Sequence, residues 1–150
     1  MLHVALWEPA IPPNTGNIAR LCAATGARLH LIGPLGFRID DAAVKRAGLD
    51  YWPHVDLMQH ASWDAFTAAV PGRIWLIDNP APRRYTDVDY RDGDILLFGN
   101  ETKGLPEELR IAHAERLLSI PMPTGKVRSL NLGTSAGIVL YEAYRQIGIA

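Results

Sequence analysis

Short apolar runs of four or five residues recur along this chain, and most are followed by a stretch whose apolar residues return at helical spacing. A run with no polar face belongs to a strand covered on both sides, the environment of a parallel sheet with helices above and below it. The runs are His3–Trp7, Arg28–Ile32, 73–77, 94–98 and 117–120, with a shorter candidate at 55–58. They predict an α/β fold: a mostly parallel, doubly wound sheet with helices on both faces, whose ligand site lies off the carboxyl ends of the strands.

The intervening stretches fit this scheme. Pro9, Pro12 and Pro13 end the first run, and Asn14 is expected to cap a helix that carries Ile18, Leu21 and Cys22 on one face and stops at Gly26. Gly33 and Pro34 close the second run. Residues 41–49 place Ala43, Val44 and Ala47 at helical spacing; 62–70 start with a serine cap and end at Pro71-Gly72; 107–114 and 134–147 are the remaining helices. The Pro-rich, basic segment 79–90 is expected to loop.

With 150 residues and 48% of them hydrophobic, residues 1–150 are read as one domain large enough to bury a real core. A single cysteine, Cys22, cannot form an intrachain disulfide, and no apolar run approaches the roughly 20 residues that span a membrane. The start of the chain lacks the features of a signal peptide, so a cytoplasmic location is expected. The net charge of −1 disfavours indiscriminate nucleic-acid binding and leaves room for a local basic patch.

Several signatures can be set aside. Gly99 to Gly104 has the outer spacing of a phosphate loop, but Leu105-Pro106 stands where lysine and a hydroxyl residue are needed. Gly133-Thr134-Ser135-Ala136-Gly137 spells G-x-S-x-G, yet a polar loop rather than a strand precedes it. The five histidines are scattered and no metal site is expected.

Three segments are dense in residue types that a fold does not require. Asn14-Thr15-Gly16-Asn17-Ile18-Ala19-Arg20 opens the first helix, where free N–H groups and a guanidinium suit a phosphate; a plain cap with a solvated arginine is the alternative. Phe98-Gly99-Asn100-Glu101-Thr102-Lys103-Gly104-Leu105-Pro106 follows a buried strand, with two glycines that permit close backbone approach and a carboxylate that accepts hydrogen bonds; it is otherwise a simple connection. Ile120 to Leu132 offers Ile120 and Met122 as soft pocket walls, Ser129 and Asn131 as polar handles, and Lys126 and Arg128 as cations; otherwise it is a proline-stiffened loop.

In order, spacing and total length, these segments resemble the three motifs of the SPOUT superfamily of RNA methyltransferases. Glu8-Pro9, Ile11-Pro12-Pro13-Asn14-Thr15-Gly16-Asn17, Arg46-Ala47-Gly48-Leu49-Asp50-Tyr51 and Val139-Leu140-Tyr141-Glu142-Ala143 narrow the likeness to its minimal, single-domain tRNA 2′-O-methyltransferases that act on cytidine 34. The resemblance implies a C-terminal deep trefoil knot, a homodimer whose sites use both chains, and S-adenosyl-L-methionine as cofactor. It implies cofactor contacts at Ile77, Gly99, Asn100, Glu101, Gly104, Ile120, Met122, Ser129 and Leu130. Asn100 departs from the proline or serine common in that family. Arg20 and Asn17 would be catalytic and face the reacting ribose, and Arg20, Lys126, Arg128 and Tyr141 would bind the RNA, an anticodon stem-loop presenting the wobble nucleotide, cytidine or modified uridine.

A guanidinium is a poor base, so Arg20 is expected to clamp phosphate and steady the developing alkoxide, the proton passing to phosphate or water. The first and last helices, with Ala19, Ala23, Ala136 and Ile138, are expected to form the dimer contact. Alternatives are another tRNA position, ribosomal RNA, or a nucleotide-binding or scaffold module without turnover.

Overall fold

The computed structural model describes residues 1–38 and 51–148. The helix expected at 41–49, and residues 46–50 of the Arg46 to Tyr51 motif, lie outside these. In chain order the elements are β1 (His3–Trp7), α1 (Pro12–Thr25), β2 (Arg28–Ile32), a 3₁₀ turn (Trp52–His54), β3 (Leu57–His60), α2 (Trp63–Ala69), β4 (Ile74–Ile77), β5 (Arg83–Arg84), β6 (Ile95–Phe98), α3 (Glu107–Ala112), a 3₁₀ turn (Ala114–Arg116), β7 (Leu117–Ser119) and α4 (Leu132–Ile147). Seven strands form one sheet in the order β3-β2-β1-β6-β4-β7-β5, and every pairing is parallel.

Strand alternation divides the core. Val4, Leu6, Leu96 and Phe98 point to one face, where Ile18 and Cys22 of α1 and Ala136, Val139 and Leu140 of α4 cover them. Ala5, Leu76, Ile95 and Leu97 point to the other, under Phe66 and Val70 beside α2 and Leu105 and Leu109 at α3. Both faces are therefore dry, which is why the strands carry no polar alternation. Burial pushes the Cys22 thiol up to about 12, so it behaves as a small core residue. Among the described residues no helix is long and apolar enough to cross a membrane.

Four expectations need correction. Asn14 does not cap α1, because the helix starts at Pro12 with Ile11 as its cap; Pro12 and Pro13 have no N–H to satisfy, so no side-chain cap is required there. Two residues of the basic loop, Arg83–Arg84, pair with β7 as a short edge strand. The candidate strand at 55–58 begins at Leu57. The strands expected from Arg73 and Asp94 begin one residue later: the Asp94 carboxylate accepts from Arg73 Nε and Nη2 at 3.0 and 2.8 Å, from Trp75 Nε1 at 3.0 Å and from Arg91 N at 2.9 Å.

Three histidines that looked scattered line up across β1, β2 and β3. His3 Nδ1 lies 2.9 Å from His30 Nε2, and His30 Nδ1 lies 3.0 Å from His60 Nε2, with the Phe66 ring edge-on to the latter two. Burial, and then its histidine neighbours, push His30 down to about 3. The unfolded chain takes up this proton below about 6.5 and the folded chain does not until about 3, so acidification in this window favours unfolding. Urea unfolding is therefore expected to show stability falling between pH 7 and pH 5, approaching about 1.4 kcal/mol per pH unit for the one proton. A His30→Gln variant should flatten that slope; an unchanged slope would assign the acid sensitivity to other groups.

Candidate active site

Because the strands are parallel, the carboxyl ends of β1, β6, β4 and β7 emerge side by side on one edge. The segments that leave them are the start of α1, the 99–106 turn, residues 78–82 and the 120–131 loop. The three segments singled out in the sequence thus converge on this edge.

The 99–104 turn is held closed by its own backbone. Asn100 and Gly104 exchange N–H···O bonds of 3.1 and 2.9 Å, and Asn100 Oδ1 accepts from Thr102 N and Lys103 N. Asn100 Nδ2 donates to Glu8 O at 2.7 Å, joining the turn to the end of β1. A Cβ at Gly99 would stand 2.4 Å from the Gly104 carbonyl carbon, and Gly104 has φ +68°. Both glycines are therefore demanded by the turn itself, before any ligand is considered.

Glu101 accepts hydrogen bonds from Ala10 N and Ile11 N at 2.9 and 2.8 Å and a long one, 3.5 Å, from Asn14 Nδ2. Asn14 Oδ1 in turn accepts from Asn131 Nδ2 at 3.1 Å, while Asn131 Oδ1 caps α4 through Thr134 N at 3.2 Å. This chain of side chains ties all three segments together. The Glu101 carboxylate, expected to face a ligand, spends these bonds on positioning the α1 entry.

Sequence reasoning missed Asp78 and Asn79, whose signal is a polar pair and a proline directly after a buried strand. Asp78 accepts from Leu105 N at 3.2 Å and Arg110 Nη1 at 2.7 Å, and Arg110 Nη2 reaches Pro80 O at 2.6 Å. The Asn79 amide grips the Ile120 backbone at both ends, donating to its carbonyl at 2.8 Å and accepting from its N–H at 3.0 Å. Loops after β4, β6 and β7 are thereby locked to each other.

Ile77 and Ile120 are buried at the strand ends, with Met122 and Leu130 half-buried against the same core cluster. Ser129, Lys126 and Arg128 are exposed on the 120–131 loop. Asn17 is exposed on α1, with its Cβ 3.8 Å from where a Cβ of Gly133 would stand, so it faces the start of α4. Arg20 is exposed, its Cζ 4.9 Å above the Tyr51 ring. Tyr141, 49% exposed on α4, is free of the core. Arg83, in the basic segment 79–90, donates to Glu115 O at 2.6 Å and lies over Trp75. Ala19 and Ala136, expected at a dimer contact, are fully buried within this chain, because α1 and α4 pack on one sheet face and on each other.

The edge thus offers an apolar floor, a tight glycine turn and a rim of cations. Soft apolar walls suit a thioether and a base, and the exposed hydroxyl and backbone of the 120–131 loop suit a ribose and an amino acid, so the residues present fit S-adenosylmethionine. A separate groove of about 560 Å³, between Thr86, Asp87, Tyr90 and the Arg145–Gln146 end of α4, is polar and shares none of these residues.

Comparison with known proteins agrees with this geometry. Residues 1–141 match the SpoU rRNA Methylase family. The chain is 47% identical over 152 residues to the tRNA (cytidine(34)-2′-O)-methyltransferase of Saccharophagus degradans, covering 100% of this chain and 98% of that one. A solved structure concerned with the 2-OH methylation of C/U34 on tRNA superposes with a TM-score of 0.93 at 51% identity, covering 98% of this chain and 96% of the other. The SpoU methyltransferase AviRb from Streptomyces viridochromogenes, in complex with the cofactor AdoMet, gives a TM-score of 0.86 at 28% identity over 97% of this chain and 57% of its own.

The Asn79 clamp generates a stability test. Asn79→Ala leaves the buried Ile120 N–H and C=O without partners and is expected to cost about 2 to 3 kcal/mol in urea unfolding. Hydrogen exchange should quicken in the 120–131 loop, and a variant as stable as the parent would show that the clamp is dispensable.

Proposed function

Because this chain belongs to the SpoU rRNA methylase family, we propose that it transfers a methyl group from S-adenosyl-L-methionine to the ribose 2′-hydroxyl of the wobble nucleotide 34 of tRNA. The observation that carries this reading is the Glu101–Asn14–Asn131 chain, which holds the Arg20-bearing helix, the glycine turn and the 120–131 loop at one sheet edge. When bound, the cofactor supplies an activated methyl group on a cationic sulfur.

Ile77, Ile120, Met122 and Leu130 would receive its apolar parts, and the backbone at Gly99, Asn100, Glu101 and Gly104, with Ser129, its polar ones. Arg20 and Asn17, both exposed on α1, would face the reacting ribose. A guanidinium stays protonated in water, so Arg20 donates: it clamps a phosphate next to the target ribose and steadies the oxygen as its proton leaves to phosphate or water. An anticodon loop presents an unpaired nucleotide and its 2′-hydroxyl without opening a helix, and the exposed Tyr141 offers a ring for stacking.

The reading includes a cytoplasmic homodimer in which the exposed side chains of Tyr141 and Ile11, 49% and 43% accessible, face the partner or its RNA. It also includes a C-terminal trefoil knot. In support, β7 lies between β4 and β5, so the stretch from 78 to 94 passes around it, and α4 then packs back on that stretch through Gln146 and Tyr90.

Purified protein incubated with labelled S-adenosylmethionine and unmodified tRNA should place one methyl group on the ribose of nucleotide 34. A methyl group on a base, on another tRNA position or on ribosomal RNA would overturn the assignment. Arg20→Ala should lower kcat by about 10²- to 10³-fold, and Arg20→Lys should also fail because a point charge does not replace a fork, with cofactor affinity near normal in both.

RNA affinity should fall steeply with salt. Lys126→Ala and Arg128→Ala are each expected to lower the slope of log K against log salt by roughly 0.7, as for a single-stranded contact. Titrations over a salt series read this directly, and unchanged slopes would remove both residues from the interface.

A further inference from the structure

Arg20 sits on the outer face of α1 at the end of a long, rotatable stem, yet a phosphate clamp works only if its fork is already aimed. Its guanidinium carbon lies 4.9 Å from the centroid of the Tyr51 ring, within cation–π range. Tyr51 is itself held. It leads into the 3₁₀ turn Trp52–His54, its carbonyl accepts from His54 N at 2.9 Å, and Val55 N closes on Trp52 O at 3.2 Å. Trp52 and Val55 pack against the α1 face of the core, and the turn lies alongside α1. The ring is partly buried and stands on a backbone held by the turn.

We propose that Tyr51 is a positioning residue: its ring face holds the Arg20 guanidinium in the orientation that receives the RNA phosphate and the developing 2′-oxyanion. This rests on the methyl-transfer reading above. A guanidinium laid flat on the ring would keep its N–H edge free, because all five donors lie in its plane. A lysine at 20 would lack both the plane that stacks and the fork that donates. The phenol hydroxyl is not needed for this role, so the ring alone should suffice.

The test compares Tyr51→Phe and Tyr51→Leu in the full chain. Tyr51→Leu should lower kcat for tRNA methylation by about 10- to 100-fold, the scale of a catalytic group misplaced by an ångström, while KM for tRNA and calorimetric affinity for S-adenosylmethionine change less than about threefold. Tyr51→Phe should retain wild-type kcat within about threefold. In an Arg20→Lys background, adding Tyr51→Leu should cost little more, since the residue acts through Arg20. In ¹H–¹⁵N spectra the Arg20 Nε–H resonance, assigned by its loss in Arg20→Lys, should carry a ring-current shift that persists in Tyr51→Phe and disappears in Tyr51→Leu. Full activity of Tyr51→Leu, an equal loss in Tyr51→Phe, or additive losses in the double variant would overturn the proposal. Wild-type protein that methylates no tRNA would overturn the functional reading, whereas the Nε–H shift would still report whether Tyr51 holds Arg20.

Discussion

Parallel pairing of all seven strands is the constraint on which the rest of the molecule depends. In an antiparallel sheet successive loops alternate between edges; here each strand must end on the same edge, and each connection must cross a face of the sheet to begin the next. The crossings supply α1 to one face and α2 and α3 to the other, and α4, which follows the last strand, packs beside α1, so the sheet is dry on both sides. The common edge collects every segment that leaves a strand, and with it the three polar segments that meet there.

Burial stabilises this arrangement but does not aim anything. The aiming is done by a small number of hydrogen bonds between segments far apart in sequence: Asn100 to Glu8, Glu101 to Ala10 and Ile11, Asn14 to Asn131, and Asn79 to Ile120. Each is worth only about 1 kcal/mol net, but leaving a buried partner unmade costs more, so each bond selects one loop arrangement over its neighbours. The opposite edge uses the same device where Asp94 gathers Arg73, Trp75 and Arg91, and where Arg28 reaches Asp56.

The chemistry proposed for this edge asks little of the protein beyond position. Methyl transfer from a sulfonium to a hydroxyl needs alignment, a dry approach and a donor for the oxygen. In the proposed reaction the buried Ile77 and Ile120, the closed glycine turn and the exposed Arg20 would divide these tasks, and the exposed Lys126 and Arg128 would meet RNA phosphates without desolvating the core.

Much of the sheet was legible in local pattern, because a strand buried on both faces must be apolar throughout and a helix must show its 3.6-residue period; His3–Trp7, Arg28–Ile32 and the Gly26 stop follow on that ground, whereas the polar edge strand Arg83–Arg84 does not. The three site segments were legible too, since glycines and polar residues directly after a buried strand mark a tight turn at the strand's carboxyl end, although what demands the two glycines is the turn's own backbone. Which residues partner which follows from the fold and not from local pattern. Asn14 read as a cap and is instead the middle link between Glu101 and Asn131; Ala19 and Ala136 read as an outer surface and are internal; Asp78 and Asn79 show in the sequence only as a polar pair after a strand, without the loops they hold; and the histidines, scattered in sequence, line up across three strands. Local pattern reflects the period of one element, whereas these contacts join residues as many as 117 positions apart, whose meeting is set by strand order.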